Sequence, residues 1–379
     1  MFLQSLQLKQ FRNYSDQAVE FLAPKTILLG ENAQGKSNLL EAVELLATLK
    51  SHRTSRDRDL IQNETNIAQI QANLKRELGA SSLQLTLRRG SRRTAIVNGE
   101  TLKRQQDFLG NLNAVQFSSL DLDLVRGGPG ARRTWTDTLL MQLEPVYVHI
   151  LQQYNQVLKQ RNALFKQHAK EQTAEPDQPP PLDPTQLALW DAQLASLGTR
   201  VIRRRARMLQ RLIPIAQSWH QAISGSTEEL VIHYSPNVDV DTDDANQIQQ
   251  TFLEQLQAKA MAEYYQRTTL VGPHRDDVSF LINTTPARQY GSQGQQRTLV
   301  LALKLSELQL IEDVIGEPPL LLLDDVLAEL DLNRQNQLLD TIQDRFQTLI
   351  TTTHLGSFDA QWLKSSQILK VKHGSLEIA

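Results

Sequence analysis

The sequence predicts an α/β fold interrupted in its middle by a helical insertion. Three observations predict it. A strand, a glycine loop and a helix are legible within the first fifty residues; a leucine run ends in two aspartates at Asp324 and Asp325; and long helical patterns dominate from about Thr134 to Tyr265. The α/β signals thus stand at both ends of a 379-residue chain. Domain boundaries are expected to divide it into 1–133, 134–270 and 271–379.

At the start, Phe2, Leu3, Leu6 and Leu8 stand between polar residues, as in a half-buried strand. A second apolar run, Thr26-Ile27-Leu28-Leu29, ends at Gly30, and Leu39, Leu40, Val43, Leu45, Leu46 and Leu49 then recur at helical spacing. Residues 67–102 read as a β-meander, with Asn98-Gly99 as a tight turn between short strands. Helical patterns follow at Val146–Phe165, Leu187–Trp219 and Ile248–Tyr265. Five prolines between Thr173 and Pro184 remove backbone donors, so an exposed loop is expected there, and the acidic stretch Asp239–Asp244 reads as another. After Leu281 the turn Tyr290–Gly294 leads into an apolar helix, Thr298–Ile311. The leucine run Leu320–Leu323 and a strand ending at His354 complete the α/β part.

Composition excludes several classes. The chain has no cysteine, so a disulfide framework, a thiolate zinc site and a cysteine nucleophile are ruled out. No window is apolar for long enough to span a bilayer, and the N-terminal residues lack the pattern of a signal peptide. Net charge is −2, so a surface for nucleic acid would need its positive charge concentrated locally.

The segment Gly30-Glu31-Asn32-Ala33-Gln34-Gly35-Lys36-Ser37 matches GxxxxGK[ST] between a strand and a helix. Such a loop lets successive backbone N–H groups converge on a phosphate at a helix start. Lys36 is then the cation for the β and γ phosphates of ATP, and the Ser37 hydroxyl a ligand for Mg²⁺. Four leucines ending in Asp324-Asp325 suit a strand buried on both faces that emerges at its C-terminal edge, where open α/β sheets bind ligands. Asp324 is placed to bind Mg²⁺ and Asp325 to orient or deprotonate an attacking water; the alternative is a core strand with a solvated acidic turn.

Gly291-Ser292-Gln293-Gly294-Gln295 resembles the signature turn of ABC-type ATPases. In that superfamily the turn reaches the γ-phosphate held by a second protomer. Ser292, Gly294 and Gln295 are therefore expected to contact nucleotide across an ATP-dependent homodimer. The alternative is an ordinary turn and helix cap.

Four further segments resemble the RecF family: Phe11-Arg12-Asn13-Tyr14, Leu124-Val-Arg-Gly-Gly-Pro129 with Arg132-Arg133, Gly272-Pro-His-Arg-Asp-Asp277 and Ala328-Glu-Leu-Asp331. The likeness runs from about Phe2 to His354. It implies an α/β P-loop ATPase head of ABC/SMC type with an inserted helical arm domain. It implies a bacterial cytoplasmic protein of repair and replication that binds DNA at single-stranded regions and gap junctions. RecO and RecR proteins are the implied partners in helping RecA replace single-strand-binding protein, with a part in SOS induction. The resemblance also places Arg12 among the nucleotide contacts, Gln116 as a loop residue linking Mg²⁺ to the arm, Asp331 at the dimer interface and His354 near the γ-phosphate. Asp325 stands where ABC enzymes usually have glutamate, and its shorter side chain implies slow hydrolysis. The expected activity is a weak DNA-stimulated ATPase used as a switch.

Basic clusters for DNA are Arg88, Arg89, Arg92 and Arg93 in the meander, and Arg53 and Arg56 (with Arg58) after the first helix. The run Arg203-Arg204-Arg205-Ala-Arg207 has two readings, a DNA contact or a helix surface with intramolecular ion pairs. Two other functions fit a phosphate loop: an ABC-type nucleotide-binding subunit of a transporter, and a metabolic kinase. About 250 residues between Lys36 and Ser292 disfavour the first, and the Ser-x-Gly-Gln turn with its distant acid pair disfavours the second.

Overall fold

The computed structural model describes residues 1–172, 184–239, 241–342, 345–356 and 358–378. The chain opens with the hairpin β1 (Phe2–Phe11) and β2 (Tyr14–Glu20), then β3 (Lys25–Leu29) and helix α1 (Lys36–Thr48). The expected meander follows as β4 (Ile67–Arg76), β5 (Gly79–Arg88), β6 (Thr94–Val97) and β7 (Glu100–Thr101). It does not stand alone. It joins the first hairpin in one antiparallel sheet of order β2-β1-β4-β5-β6-β7. Strand β8 (Ala114–Ser118) then leads through the short helix α2 (Asp123–Arg126) to α3 (Pro129–Leu143).

The long helices are α4 (Val146–Gln172), α5 (Pro184–Ser224) and α6 (Ala245–Gln266), with β9 (Leu230–Ser235) between the last two. Next come β10 (Asp277–Ile282), β11 (Thr285–Pro286), α7 (Ala287–Tyr290) and the apolar helix α8 (Gln293–Ile315). The chain then runs through β12 (Leu320–Asp324), α9 (Leu332–Ile342), β13 (Thr348–Thr352), α10 (Ala360–Lys364), β14 (Ser366–Lys372) and β15 (Ser375–Ile378). Except for Pro184, the proline-rich stretch expected as a loop lies outside the described residues. Helix α3 runs across the expected boundary at 133/134, and β9 pairs antiparallel with β10 across the one at 270/271.

The central sheet has the order β15-β14-β3-β13-β12-β8, parallel except for β15. Strand β12 shows why four consecutive leucines suit it. Leu320 and Leu322 join the core shared with α1 and the antiparallel sheet, whereas Leu321 and Leu323 join the core beneath α3, α5 and α8. Register brings the C-terminal ends of these strands level: Asp324 lies opposite both Thr351 and Ser118, and Thr352 opposite Leu29. Helix α5 packs along α8, so the arm sits directly on the apolar helix of the head. Gly198 allows α6 to approach α5, because a Cβ there would fall 2.3 Å from the Phe252 ring.

Candidate functional site

The phosphate loop leaves β3 at the C-terminal edge of the central sheet and enters α1 at Lys36. Gly35 sits at φ 116°, which only glycine adopts without strain, and a Cβ there would collide with the Asn13 amide. Three groups fix the loop from outside. The Tyr14 hydroxyl donates to the Gly35 carbonyl at 2.9 Å, the Asn13 amide donates to the Gln34 carbonyl at 2.9 Å, and the Gly374 N–H donates to the same carbonyl at 3.0 Å. Gly30 lies under Val371 of β14. Glu31, Asn32 and Ala33 form the exposed crest of the loop.

Lys36 folds back along the loop, its ammonium donating to the carbonyls of Gly30 (2.6 Å) and Glu31 (2.8 Å). Burial lowers its pKa, and the charges of Asp325 and Asp324 oppose that shift. Ser37 and the acid pair meet despite a separation of 287 residues, the Ser37 hydroxyl donating to Asp324 Oδ1 at 2.8 Å. Thr351 on β13 donates to the same carboxylate oxygen at 2.8 Å, and its hydroxyl accepts the Asp325 N–H at 2.9 Å. Asp325 is exposed and sits at φ 56°, the strained left-handed region for a residue with a side chain, just past the end of β12. Sequence patterning treated Thr351 only as part of a strand. Its register opposite Asp324 is what gives it a place in the site.

Arg12 directly precedes Asn13, whose amide holds the loop at Gln34. It pairs with both oxygens of Glu41 (2.9 and 2.7 Å) and donates to the Asp59 carbonyl at 2.8 Å, so its fork is held against α1. Glu41 is fully buried and also accepts from Ser51 and Arg53, which makes it the anchor of the segment after α1. A charge among the apolar residues of α1 was the signal for this anchor. Gln116 is not in a loop. It lies inside β8, opposite Leu322, with its amide 3.3 Å from His52 Nε2 and its carbonyl oxygen buried without a partner among the described residues. His52 in turn pairs with Glu44 at 2.6 Å. Burial alone would lower the His52 pKa, but Glu44, Glu41 and Asp324 reverse this and raise it.

Ser292 caps α8 in a reciprocal box. Its hydroxyl accepts the Gln295 N–H at 3.2 Å, and its own N–H donates to Gln295 Oε1 at 2.8 Å. Gly294 lies beneath the guanidinium of Arg334, which forms an ion pair with Asp331 and donates to Thr298 at 2.8 Å. Among the described residues, no hydrogen bond or ion pair links the Ser292 turn to the phosphate loop or acid pair of its own chain. His354 is exposed after β13, with its backbone held by the Thr352 hydroxyl.

The basic clusters divide. Arg56, Arg58, Arg88 and Arg92 line an open groove of about 620 Å³ together with Asp57, Gly90 and Ser91. Arg93 does not join them. It forms a two-pronged pair with Asp57 and donates to the Leu49 carbonyl, so it is an internal strut and not a free contact for DNA. Arg53 is likewise tied, to Asn38 and Glu41, and Arg89 is exposed beside the groove. On the arm, Arg203 and Arg207 pair with Asp243, Arg204 with Glu144, and buried Arg205 with Asp137 and Asp276, which is the ion-pair reading of that run.

Comparison with known proteins bears on the whole arrangement. The RecF/RecN/SMC N-terminal domain family matches residues 2–375. The DNA replication and repair protein RecF of Nostoc punctiforme is 68% identical over 99% of both chains, and that of Acaryochloris marina is 66% identical over 100% of both. Among solved structures, the recombination mediator protein RecF of the RecFOR pathway, determined with ATP, has a TM-score of 0.90 at 31% identity over 100% of this chain and 97% of that one. An Smc head bound to the C-terminal winged-helix domain of ScpA has a TM-score of 0.55 at 14% identity over 100% of this chain and 97% of that one, a likeness of fold. With an ATPase head of this topology, an inserted helical arm and relatives matched from end to end, the chain belongs to the RecF family.

Proposed function

We propose that this chain is an ATP-controlled DNA-binding switch of recombinational repair and replication restart. The observation that carries the reading is the Ser37–Asp324–Thr351 cluster beside Lys36, which joins the phosphate loop to the acid pair at one sheet edge. ATP fits that edge. The loop offers converging N–H groups, and the Lys36 ammonium is close enough to exchange its loop carbonyls for phosphate oxygens.

The donor set also fits Mg²⁺, which takes hard oxygen ligands and completes its shell with phosphate oxygens and water. Ser37 and Asp324 would hold the ion, and Gln116 supplies a buried carbonyl oxygen with an open lone pair on the adjacent strand. Bound there, Mg²⁺ supplies neutralisation of charge on the phosphates. Asp325, projecting beyond the strand end, orients the attacking water and accepts its proton.

The Ser292 turn is exposed and separate from its own chain's phosphate loop, as a contact to a second copy requires. ATP then joins two heads, and hydrolysis releases them. The groove of Arg56, Arg58, Arg88 and Arg92 suits the phosphate backbone of DNA without reading its sequence. The pathway named for the solved relative, RecFOR, supports RecO and RecR as partners. A cytoplasmic setting, single-stranded DNA and gap junctions as targets, and a part in RecA loading and SOS induction are what the family resemblance implies. A transporter subunit is not favoured, because the full-length relatives are replication and repair proteins.

The test is ATP-dependent dimerisation by light scattering, with and without gapped DNA. The unaltered chain should dimerise with ATP. Lys36→Met should abolish nucleotide binding, and Ser292→Arg should bind ATP as a monomer only. Dimers of Ser292→Arg as tight as those of the unaltered chain would refute the reading.

A further inference from the structure

The Ser292 turn is held by more than its own capping box. Gln295 uses its side-chain oxygen for the Ser292 N–H, and its amide donates to Glu228 Oε1 at 2.9 Å. Glu228 belongs to the short connection between α5 and β9. That connection is itself fixed: the Glu229 N–H donates to the Asn283 side chain, the Ser226 N–H donates to the Gln221 carbonyl, and the Gln217 amide donates to the Leu230 carbonyl. Behind Glu228 lies His220 of α5, fully buried, with Nε2 3.6 Å from Glu228 Oε2 and neither ring nitrogen hydrogen-bonded among the described residues. The residue before it, Trp219 of α5, donates to Gln309 of α8 at 3.1 Å. The arm helix therefore grips α8 along its side through Trp219 and at its first turn through Glu228.

We propose that Glu228 is a positioning residue for the Ser292 turn, fixing Gln295 from the arm side so that the orientation of α5 sets the orientation of the surface offered to a second copy of this chain. The inference rests on the dimer reading above and deepens it. The chemistry is direct. A carboxylate acceptor holds an amide more firmly than a neutral acceptor does, and it fixes which end of the Gln295 side chain faces Ser292. With Gln295 free to rotate, the Ser292 N–H loses its partner and the cap keeps one of its two bonds. Burial holds His220 below its ordinary pKa, so it is neutral near pH 7 and leaves the Glu228 charge directed at Gln295.

The experiment measures ATP affinity of the monomer and the dimer dissociation constant with ATP for the unaltered chain, Glu228→Ala, Glu228→Gln and Ser292→Arg. Glu228→Ala should bind ATP as the unaltered monomer does but weaken the dimer by about tenfold, the scale of one charge-assisted hydrogen bond. Glu228→Gln, which keeps an acceptor at that position, should recover most of the loss. In a Gln295→Ala background, Glu228→Ala should add nothing, because the two residues act in series. If Glu228→Ala does not fold, Glu228→Asp, which withdraws the carboxylate by one methylene, carries the same expectation. Unchanged dimerisation of the Glu228 variant while Ser292→Arg fails to dimerise overturns the inference and leaves the dimer reading standing. Absence of any ATP-dependent dimer in the unaltered chain overturns both.

Discussion

His274 makes the junction between arm and head sensitive to acid. It lies in the Gly272–Asp277 segment, with Nε2 3.1 Å from the Thr269 carbonyl and Nδ1 2.6 Å from the Tyr154 hydroxyl. A carbonyl only accepts, so Nε2 carries the hydrogen and Nδ1 takes the Tyr154 proton into its lone pair. Burial is the main reason the pKa is lowered to about 4; the Thr269 carbonyl and Asp276 raise it, and Arg275 and Arg133 push it further down. The folded pKa lies below the unfolded 6.5, so the fold favours the neutral ring. That stability is fully present above pH 6.5 and is lost as pH falls through 4. The span of about 2.5 pH units corresponds to about 3 kcal/mol. Replacing His274 by Gln keeps a donor within reach of Thr269 and has no proton to gain. Urea unfolding at several pH values between 7.5 and 4 should show the unaltered chain losing about 3 kcal/mol more than His274→Gln across this window. Equal losses in the two proteins would show that His274 titrates as freely in the fold as in the unfolded chain.

Four other outcomes are expected. Arg205→Met leaves Asp137 and Asp276 without their shared cation and should cost about 3–5 kcal/mol of unfolding free energy, read from denaturant midpoints. Asp325→Asn should bind ATP normally but release phosphate at least about tenfold more slowly, since it cannot accept the proton of water; equal turnover removes the role. Arg56, Arg88 and Arg92 replaced together by Ala should reduce the salt slope of duplex DNA binding by roughly 2–3, at about 0.9 per lost phosphate contact. Arg93→Ala should lower the melting temperature through loss of the Asp57 pair and leave that slope unchanged.

Much of the fold was legible because local signals and burial agree. The leucines of β12 alternate between two cores, and the glycine loop stands between strand and helix as its pattern requires. What the sequence could not show is pairing between distant segments. The union of the first hairpin with the meander depends on β1 lying beside β4, and nothing in either strand alone names its neighbour. Thr351 escaped for the same reason, its role being set by register against Asp324. The arginines illustrate a different limit. Arg92 and Arg93 are adjacent and chemically alike, yet one faces an open groove and the other is tied to Asp57, because successive residues point in different directions and only one meets a carboxylate. Gln116 was one glutamine among many, and its partner His52 lies 64 residues away.

The hairpin of β14 and β15 bears on when the nucleotide cradle can exist at all. Gln34 is clasped by the backbone N–H groups of His373 and Gly374, and Gly30 rests under Val371. Strand β3 is flanked by β13 and β14, both made more than 300 residues later. A chain still emerging from the ribosome therefore carries the glycine-lysine motif long before it has the walls that shape it. The cradle's walls are complete only once residues 366–374 have paired with β3 and clasped Gln34.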